Sequence, residues 1–526
     1  MSKGDVSGRS GAVFAVSAAF AIVSVFVQGC ALFGPGTPPD ARQVYDTCDQ
    51  MMSAGNTNGA IKLLSEELRN KAYGNARGGM FMNLLGLMCR AGSVKEAQDR
   101  FMQAVATEPV LAATAFDVIS GHLNAVGDIR GLEAWSGRLM DSLLPANLVE
   151  RSYAIHLNAC VTSGNTDRIL ALVPVCAKRF DGPVSRRILS GAVNSLILKE
   201  KFIDAARVID AVEVESVNIV DLKNLVLLGR PTLMAAQDKW TDAGLHFAKA
   251  VAELPDGDLR TCIGSVIGRA ITVAQFDIAD KLCEQVMEKQ GSKQGAAMEA
   301  ATQWLKSAKE RKDLPLVVKR FDALARSAIS KSFVSGQYNT YFYDIMNGLK
   351  KDEAKQMVAV GDKILPGLTN EDDKIDMKTL LLDGWFLADE YEKALKIVEE
   401  GLPGRDKAWQ EMAGSKMRAH IAERDGKFVE AVQQLRTFMS HIEKWERAEQ
   451  DPMSGINYSK ELCLGMNCRR IGGWYDKAGK KEESKAAYGE AKTYLEKALS
   501  QVAADSKEAT KIREELAGVP DQAAKK

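Results

Sequence analysis

The sequence predicts an all-α protein, an α-solenoid of about twelve stacked helical hairpins, and three observations carry that prediction. Beyond Asp40, helix-length amphipathic segments alternate with short breaks, and the two-residue alternation of strands is nearly absent. Similar segments return at a spacing of about 37 residues, the mark of a repeat architecture. Only 14 prolines occur in 526 residues, so long stretches are free to be helical. A chain of this length also exceeds one ordinary compact core, which calls for several domains or an extended repeat.

In chain order, the first feature is an address. Residues 1–9 hold Lys3 and Arg9 against Asp5, no further charge appears until Asp40, and Ala12 to Val27 is almost wholly apolar. A positive start followed by an apolar run shorter than the roughly 20 residues of a spanning helix is the pattern of a signal peptide. The run closes with Val27-Gln28-Gly29-Cys30. This resembles the lipobox of bacterial lipoproteins, with an aliphatic residue three places before the cysteine and a small one directly before it; Gln28 is a less usual occupant of the middle position. The resemblance implies recognition of Val27, Gln28 and Gly29 by the lipoprotein signal peptidase, cleavage before Cys30, palmitate-type lipidation of Cys30 and a bacterial source. It also implies anchorage at the cell envelope, with the periplasmic side of the outer membrane favoured. An uncleaved anchor extended through Ala31, Leu32 and Phe33 is the alternative, and both place the body outside the cytoplasm because Lys3 and Arg9 stay on the inner side. "GPGTPPD", Gly34 to Asp40, reads as an irregular tether.

The repeats follow. In "FMNLLGLMCRAGSVKEAQDRFMQAVATEP", the residues Phe81, Leu84, Met88, Gly92, Val94, Ala97, Phe101, Ala104 and Pro109 match the large, small and turn positions of the tetratricopeptide repeat. Cys468, Ile471, Gly472, Tyr475, Gly479, Ser484, Tyr488 and Ala491 match the same template near the other end. The chain therefore resembles tetratricopeptide-repeat (TPR-like) proteins, which implies a right-handed solenoid with a concave groove. The small residue of each second helix falls at Ala60, Ala97, Leu132, Ile169, Ala205, Ala243, Ala279, Val317, Ala354, Ala394, Ala431 and Ser484, at intervals of 35 to 40 residues and 53 before the last. Leu132, Ile169 and Val317 depart from the small residue expected there. The long last interval contains "QDPMSG", Gln450 to Gly455, which reads as an insertion. Such hairpins cannot bury their apolar faces alone and are stable only when stacked. The expected organisation is 1–29 signal peptide, 30–40 lipidated cysteine and tether, 41–500 TPR-like α-solenoid, and 501–526 capping helix with a disordered tail.

The search for chemistry is less productive. Lys plus Arg and Asp plus Glu both total 69, so no chain-wide field favours nucleic acid or cations, and no nucleic-acid partner is expected. His122, His156, His246, His420 and His441 sit in no metal-ligand or nucleophile motif and read as surface or cap residues. No phosphate loop is present, so neither metal, cofactor nor catalytic residue is expected and the chain reads as a non-enzyme. After Cys30, eight cysteines remain. Cys48, Cys160, Cys176, Cys283 and Cys468 fall at helix-packing positions, where cysteine acts as a small hydrophobe. Cys463 and Cys468 lie about 140° apart around a helix and do not form a site. Cys160 and Cys176, on facing helices, are the pair to test for a disulfide.

For binding, Lys416, His420 and Arg424 share one face of a first helix by their four-residue steps, and Arg469, Arg470 and Lys477 lie on that of the next unit. The resemblance implies that this face lines the groove, where the six could clamp an acidic peptide or polymer; a solvated charged face interspersed with Glu423 and Asp476 is the plainer reading. The function expected is a membrane-anchored protein-protein interaction scaffold or assembly factor of the bacterial cell envelope, its partners being envelope proteins. A glycan- or nutrient-binding outer-membrane lipoprotein is the alternative, weakened by an aromatic content of 7% and few interruptions between units.

Overall fold

The computed structural model describes residues 39–69, 73–289, 293–346, 348–444 and 459–520. Val27, Gln28, Gly29 and Cys30, most of the tether, the "QDPMSG" segment and the last six residues lie outside them. Every regular element among the described residues is helical, and the contacts divide the chain between Leu254 and Pro255 into two compact units.

In the first unit the helices pair in chain order: α1 with α2 (Pro39–Ser53, Thr57–Glu67), α3 with α4 (Ala76–Arg90, Val94–Thr107), and, after the short α5 (Pro109–Thr114), α6 with α7 (Phe116–Ala125, Ile129–Met140). There follow α8 with α9 (Ala146–Ser163, Thr166–Arg179), α10 with α11 (Gly182–Leu198, Phe202–Glu215) and α12 with α13 (Val220–Ala236, Trp240–Glu253). The second unit pairs α14 with α15 (Asp256–Thr272, Phe276–Met287), α16 with α17 (Gln294–Glu310, Leu314–Arg326) and α18 with α19 (Lys331–Met346, Lys351–Ile364). It continues with α20 and α21 (Glu371–Leu387, Tyr391–Glu400), α22 and α23 (Lys407–Arg424, Phe428–Glu443), and α24 and α25 (Lys460–Lys477, Lys481–Ser500). A last helix, α26 (Lys507–Ala517), packs on α25. The all-α hairpin architecture is thus what the sequence predicts.

The marker residues explain why the period is so regular. All twelve, from Ala60 to Ser484, are the fourth residue of their second helix, and all are buried. Leu132, Ile169 and Val317 hold the same place at 7%, 0% and 0% exposure, so their units are full members of the array despite the larger side chains. The close approach at this position is visible in the last hairpin, where the Ser484 hydroxyl donates to the Gly472 carbonyl at 3.0 Å. A Cβ on Gly472 would lie 2.7 Å from the Tyr488 ring, so no larger residue fits without displacement.

The turns repeat as well. In every hairpin but the ninth, the residue two places before the second helix has a left-handed backbone, as at Gly92 (φ 83). The next N–H then reaches back over the turn, Ser93 N to Met88 O at 2.9 Å, closing the first helix in a Schellman-type cap. Glycine adopts this conformation freely, whereas Glu200, Asp238, Ala274, Lys312 and Asp389 adopt it at a steric cost. Between hairpins, first helices stack on first helices, as α8 on α10, and second on second, as α9 on α11.

Candidate functional site

Helix α22 presents Lys416 and His420 toward its neighbours because a four-residue step keeps them on one face. That face is closed. Lys416 is 6% and His420 5% exposed, unlike the open surface the sequence suggested. The reason is that aromatic side chains of the tenth hairpin and of α23 cover them. The Lys416 ammonium lies 4.9 Å from the Phe386 ring centre and 5.3 Å from that of Phe438. The His420 ring stacks on Tyr391 at 4.8 Å and meets Phe386 edge-on at 5.0 Å. Cation–π attraction compensates part of the cost of burying such a charge.

Arg470, from α24, completes the cluster. Its guanidinium stands 3.1 Å from His420 Nδ1 and donates to Glu423 at 2.6 Å, while the Trp474 indole N–H donates to the other Glu423 oxygen at 2.7 Å. An arginine only donates, so the nearer ring nitrogen accepts and the imidazole is neutral. Burial, then the charges of Arg470 and Lys416, lower the His420 pKa to about 3. Such a ring is no base near neutral pH. The arrangement ties three consecutive hairpins together, through Phe386 and Tyr391 of the tenth, Lys416 and His420 of the eleventh, and Arg470 and Trp474 of the twelfth.

The other three cations lie apart from it. Arg424 is half exposed and pairs with Glu392 at 2.5 Å and Asp425 at 3.1 Å. Arg469 turns to Glu515 of α26 at 2.8 Å, and exposed Lys477 sits 5.3 Å from the Phe428 ring.

Sequence reasoning also missed two interior clusters. His156 is 3% exposed, not a surface residue; its Nδ1 lies 3.0 Å from the Glu133 carbonyl and 3.1 Å from Ser136 Oγ, and Arg168 Nε donates to Nε2 at 3.4 Å. In the second unit, Asp280 accepts from Ser307 at 2.8 Å and from Arg311 and Arg320 at 2.5 Å each. Arg320 is itself 3% exposed and stands over the Trp304 ring. Nothing in the sequence marks these partners, which come from different helices and share no motif. His122, His246 and His441 are half-buried.

The eight cysteines after Cys30 are all buried free thiols, Cys160 and Cys176 included. Burial pushes the thiols of both up to about 12, so they are protonated near neutral pH. Among the described residues no group of His, Cys, Asp and Glu could hold a metal ion, and no helix is long and apolar enough to cross a membrane.

No protein-family model matches the chain, and no curated protein matches it. Solved structures with a similar course are helical-repeat proteins. The Naa15/Naa10 complex bound to HypK-THB is 11% identical, with 91% of this chain and 75% of that one covered and a TM-score of 0.27. The pentatricopeptide repeat protein PPR10 from maize, in complex with an 18-nt psaJ RNA element, is 14% identical over 92% and 79%, with a TM-score of 0.28. Yeast Tom70 is 12% identical over 90% and 99%, with a TM-score of 0.21. With scores this low, the assignment to an all-α fold of TPR-like helical hairpins rests on the chain's own geometry.

Proposed function

We propose that the chain is a scaffold that binds protein partners on the exposed faces of its first helices and is held at the bacterial cell envelope by lipid on Cys30. The observation that carries the binding half is a series of exposed amides. Each first helix of hairpins two to five bears an exposed asparagine: Asn83 on α3, Asn124 on α6, Asn158 on α8 and Asn194 on α10. An amide offers both a donor and an acceptor, which is what an extended peptide backbone requires of a partner. Adjacent polar groups are already linked across helices: Ser195 Oγ donates to Asn158 Oδ1 at 3.2 Å and Lys199 to Thr162 Oγ1 at 2.8 Å. The anchoring half is supported by the Val27-Gln28-Gly29-Cys30 motif alone. Each buried methylene contributes about 0.8 kcal/mol, so two or three acyl chains would hold the protein firmly.

Affinity capture from envelope extracts with the full chain and with an Asn158→Asp, Asn194→Asp double variant tests the binding half. One stoichiometric protein, lost with the variant, is the expected result; recovery of RNA or glycan instead overturns it. Mass spectrometry of the purified protein tests the anchor, which an intact, unmodified segment through Cys30 would eliminate.

A further inference from the structure

A shallow cavity of about 410 Å³, wide open to solvent, lies over α7, α8 and α9, lined by Arg130, Glu133, Ala134, Gly137, His156 and Arg168. On α7 the spacing of Arg130, Ala134 and Gly137 places them along one face, i, i+4 and i+7. His156, two residues before Asn158 on α8, points about 200° away from it, so the cavity is separate from the exposed amides.

Three features suit the cavity to an anion. First, Arg130 and Arg168 are both exposed and neither forms an ion pair among the described residues, whereas Arg138 pairs with Asp99, Arg151 with Asp117 and Arg207 with Asp167. Second, Glu133, the carboxylate in the lining, forms its hydrogen bonds with groups other than the two arginines. Glu133 accepts from Ser163 at 2.9 Å and from Asn165 at 2.7 Å, both neutral donors, so it keeps its charge but is held toward the hairpin turn and pairs with neither guanidinium among the described residues. Third, the floor is buried and fixed. The His156 ring donates from Nδ1 toward the Glu133 carbonyl, leaving Nε2 to accept from Arg168 Nε, which fixes that guanidinium stem and leaves its two terminal nitrogens without a hydrogen-bond partner among the described residues. Gly137 places no side chain against the ring; a Cβ there would meet only His156, at 3.6 Å.

We propose that this cavity is a binding site for a small oxyanion, a molecule carrying a carboxylate or phosphate group, with Arg130 and Arg168 as its donors and the His156–Gly137 surface as its floor. Planar guanidiniums match either group with paired hydrogen bonds. Two of them against the single lining carboxylate, Glu133, leave a local excess of positive charge in a chain of zero net charge.

The test is calorimetric titration of the full chain, at low salt, with inorganic phosphate and with succinate. Saturable binding of at least one probe is expected, and which one binds decides between phosphate and carboxylate ligands. Arg130→Gln and Arg168→Gln should each weaken it at least about tenfold, the equivalent of one lost charge-assisted bond. Gly137→Leu, which fills the cavity without removing charge, should also abolish binding, whereas Arg138→Gln, one residue further along α7, should leave it within about twofold. Thermal melting of each variant confirms that it folds. Absence of saturable binding to either probe, unchanged affinity in Arg130→Gln or Gly137→Leu, or an equal loss in Arg138→Gln overturns the site.

Discussion

The two units share a hairpin plan but distribute charge and hydrophobicity oppositely. Among the described residues of the first, His156 is the one buried His, Lys, Arg, Asp or Glu, while Val110, Leu143, Ile203 and Val217 stand 80–89% exposed. In the second, Arg320, Asp383, Lys416, His420 and Glu515 are buried, and its large exposed apolar residues, Tyr343, Leu387 and Val429, reach only 51%. The difference separates two ways of holding a stack. Apolar contact is nondirectional and fixes little about which helix face meets which. A buried charge must meet its partner or cost several kcal/mol, so it fixes register without adding much net stability. The second unit is therefore the part whose stacking is specified by individual polar side chains, and the first is the part left with apolar surface to offer.

The largest test of this contrast is Asp280→Ala. It leaves two guanidiniums, one of them nearly fully buried, without the carboxylate that both reach. Removing one partner of such a buried set costs about 3–5 kcal/mol. Arg207→Ala breaks the Arg207–Asp167 pair of the first unit, half exposed on one side and 87% exposed on the other, and should cost no more than about 1 kcal/mol. Urea titrations of both variants check the pair; equal losses would remove the distinction between the units.

Acid should act next. The His420 pKa is about 3 in the folded chain and near 6.5 when unfolded, so the unfolded state takes up the proton first as pH falls. Stability is complete above about pH 6.5 and declines below it, with a slope of up to about 1.4 kcal/mol per pH unit. His420→Gln, neutral throughout, should flatten that decline. Burial and Arg168 lower His156 in the same direction, so a decline of the same sign remains in the variant. Denaturation midpoints between about pH 7 and 4 report both; a variant with undiminished slope would show that His420 is not the group that titrates.

What could be read from the sequence follows from the same physics. The period was legible because the fourth residue of each second helix faces a neighbour at close range, a local constraint that selects Ala97 or Ala205 whatever surrounds them. Leu132, Ile169 and Val317 depart from the expected small residue yet are buried at the same place, because whether a larger side chain fits depends on the facing helix and not on the local pattern. The four-residue steps of Lys416, His420 and Arg424 are legible on α22, yet whether Lys416 and His420 face water depends on Phe386, Tyr391 and Phe438, which are 22 to 34 residues from the side chains they cover. Pairings such as Asp280 with Arg320, 40 residues apart, carry no local signal at all. The cavity beside His156 escaped for the same reason, since Arg130 and Arg168 meet only once α7 and α9 are stacked.

The smallest effect concerns the turns, the feature both units share. Gly92 and Ala274 occupy equivalent left-handed positions, φ 83 and 58, and each is followed by the same backward hydrogen bond, Ser93 N to Met88 O and Gln275 N to Ala270 O at 2.8 Å. Exchanging the residue types should therefore move stability in opposite directions. Gly92→Ala introduces a Cβ into a conformation that costs roughly 1–2 kcal/mol. No other atom lies within 4 Å of that Cβ, so the loss is backbone strain and not a clash. Ala274→Gly relieves the same strain, but glycine's greater freedom in the unfolded chain returns about 0.5–1 kcal/mol, leaving a net gain below about 1 kcal/mol. A melting temperature lowered by the first and raised slightly by the second would show that the turn geometry is set by the hairpin and not by its glycines. A loss on both would mean that Ala274 is held in place by contacts peculiar to the second unit, which would make even the turns part of the difference between the two.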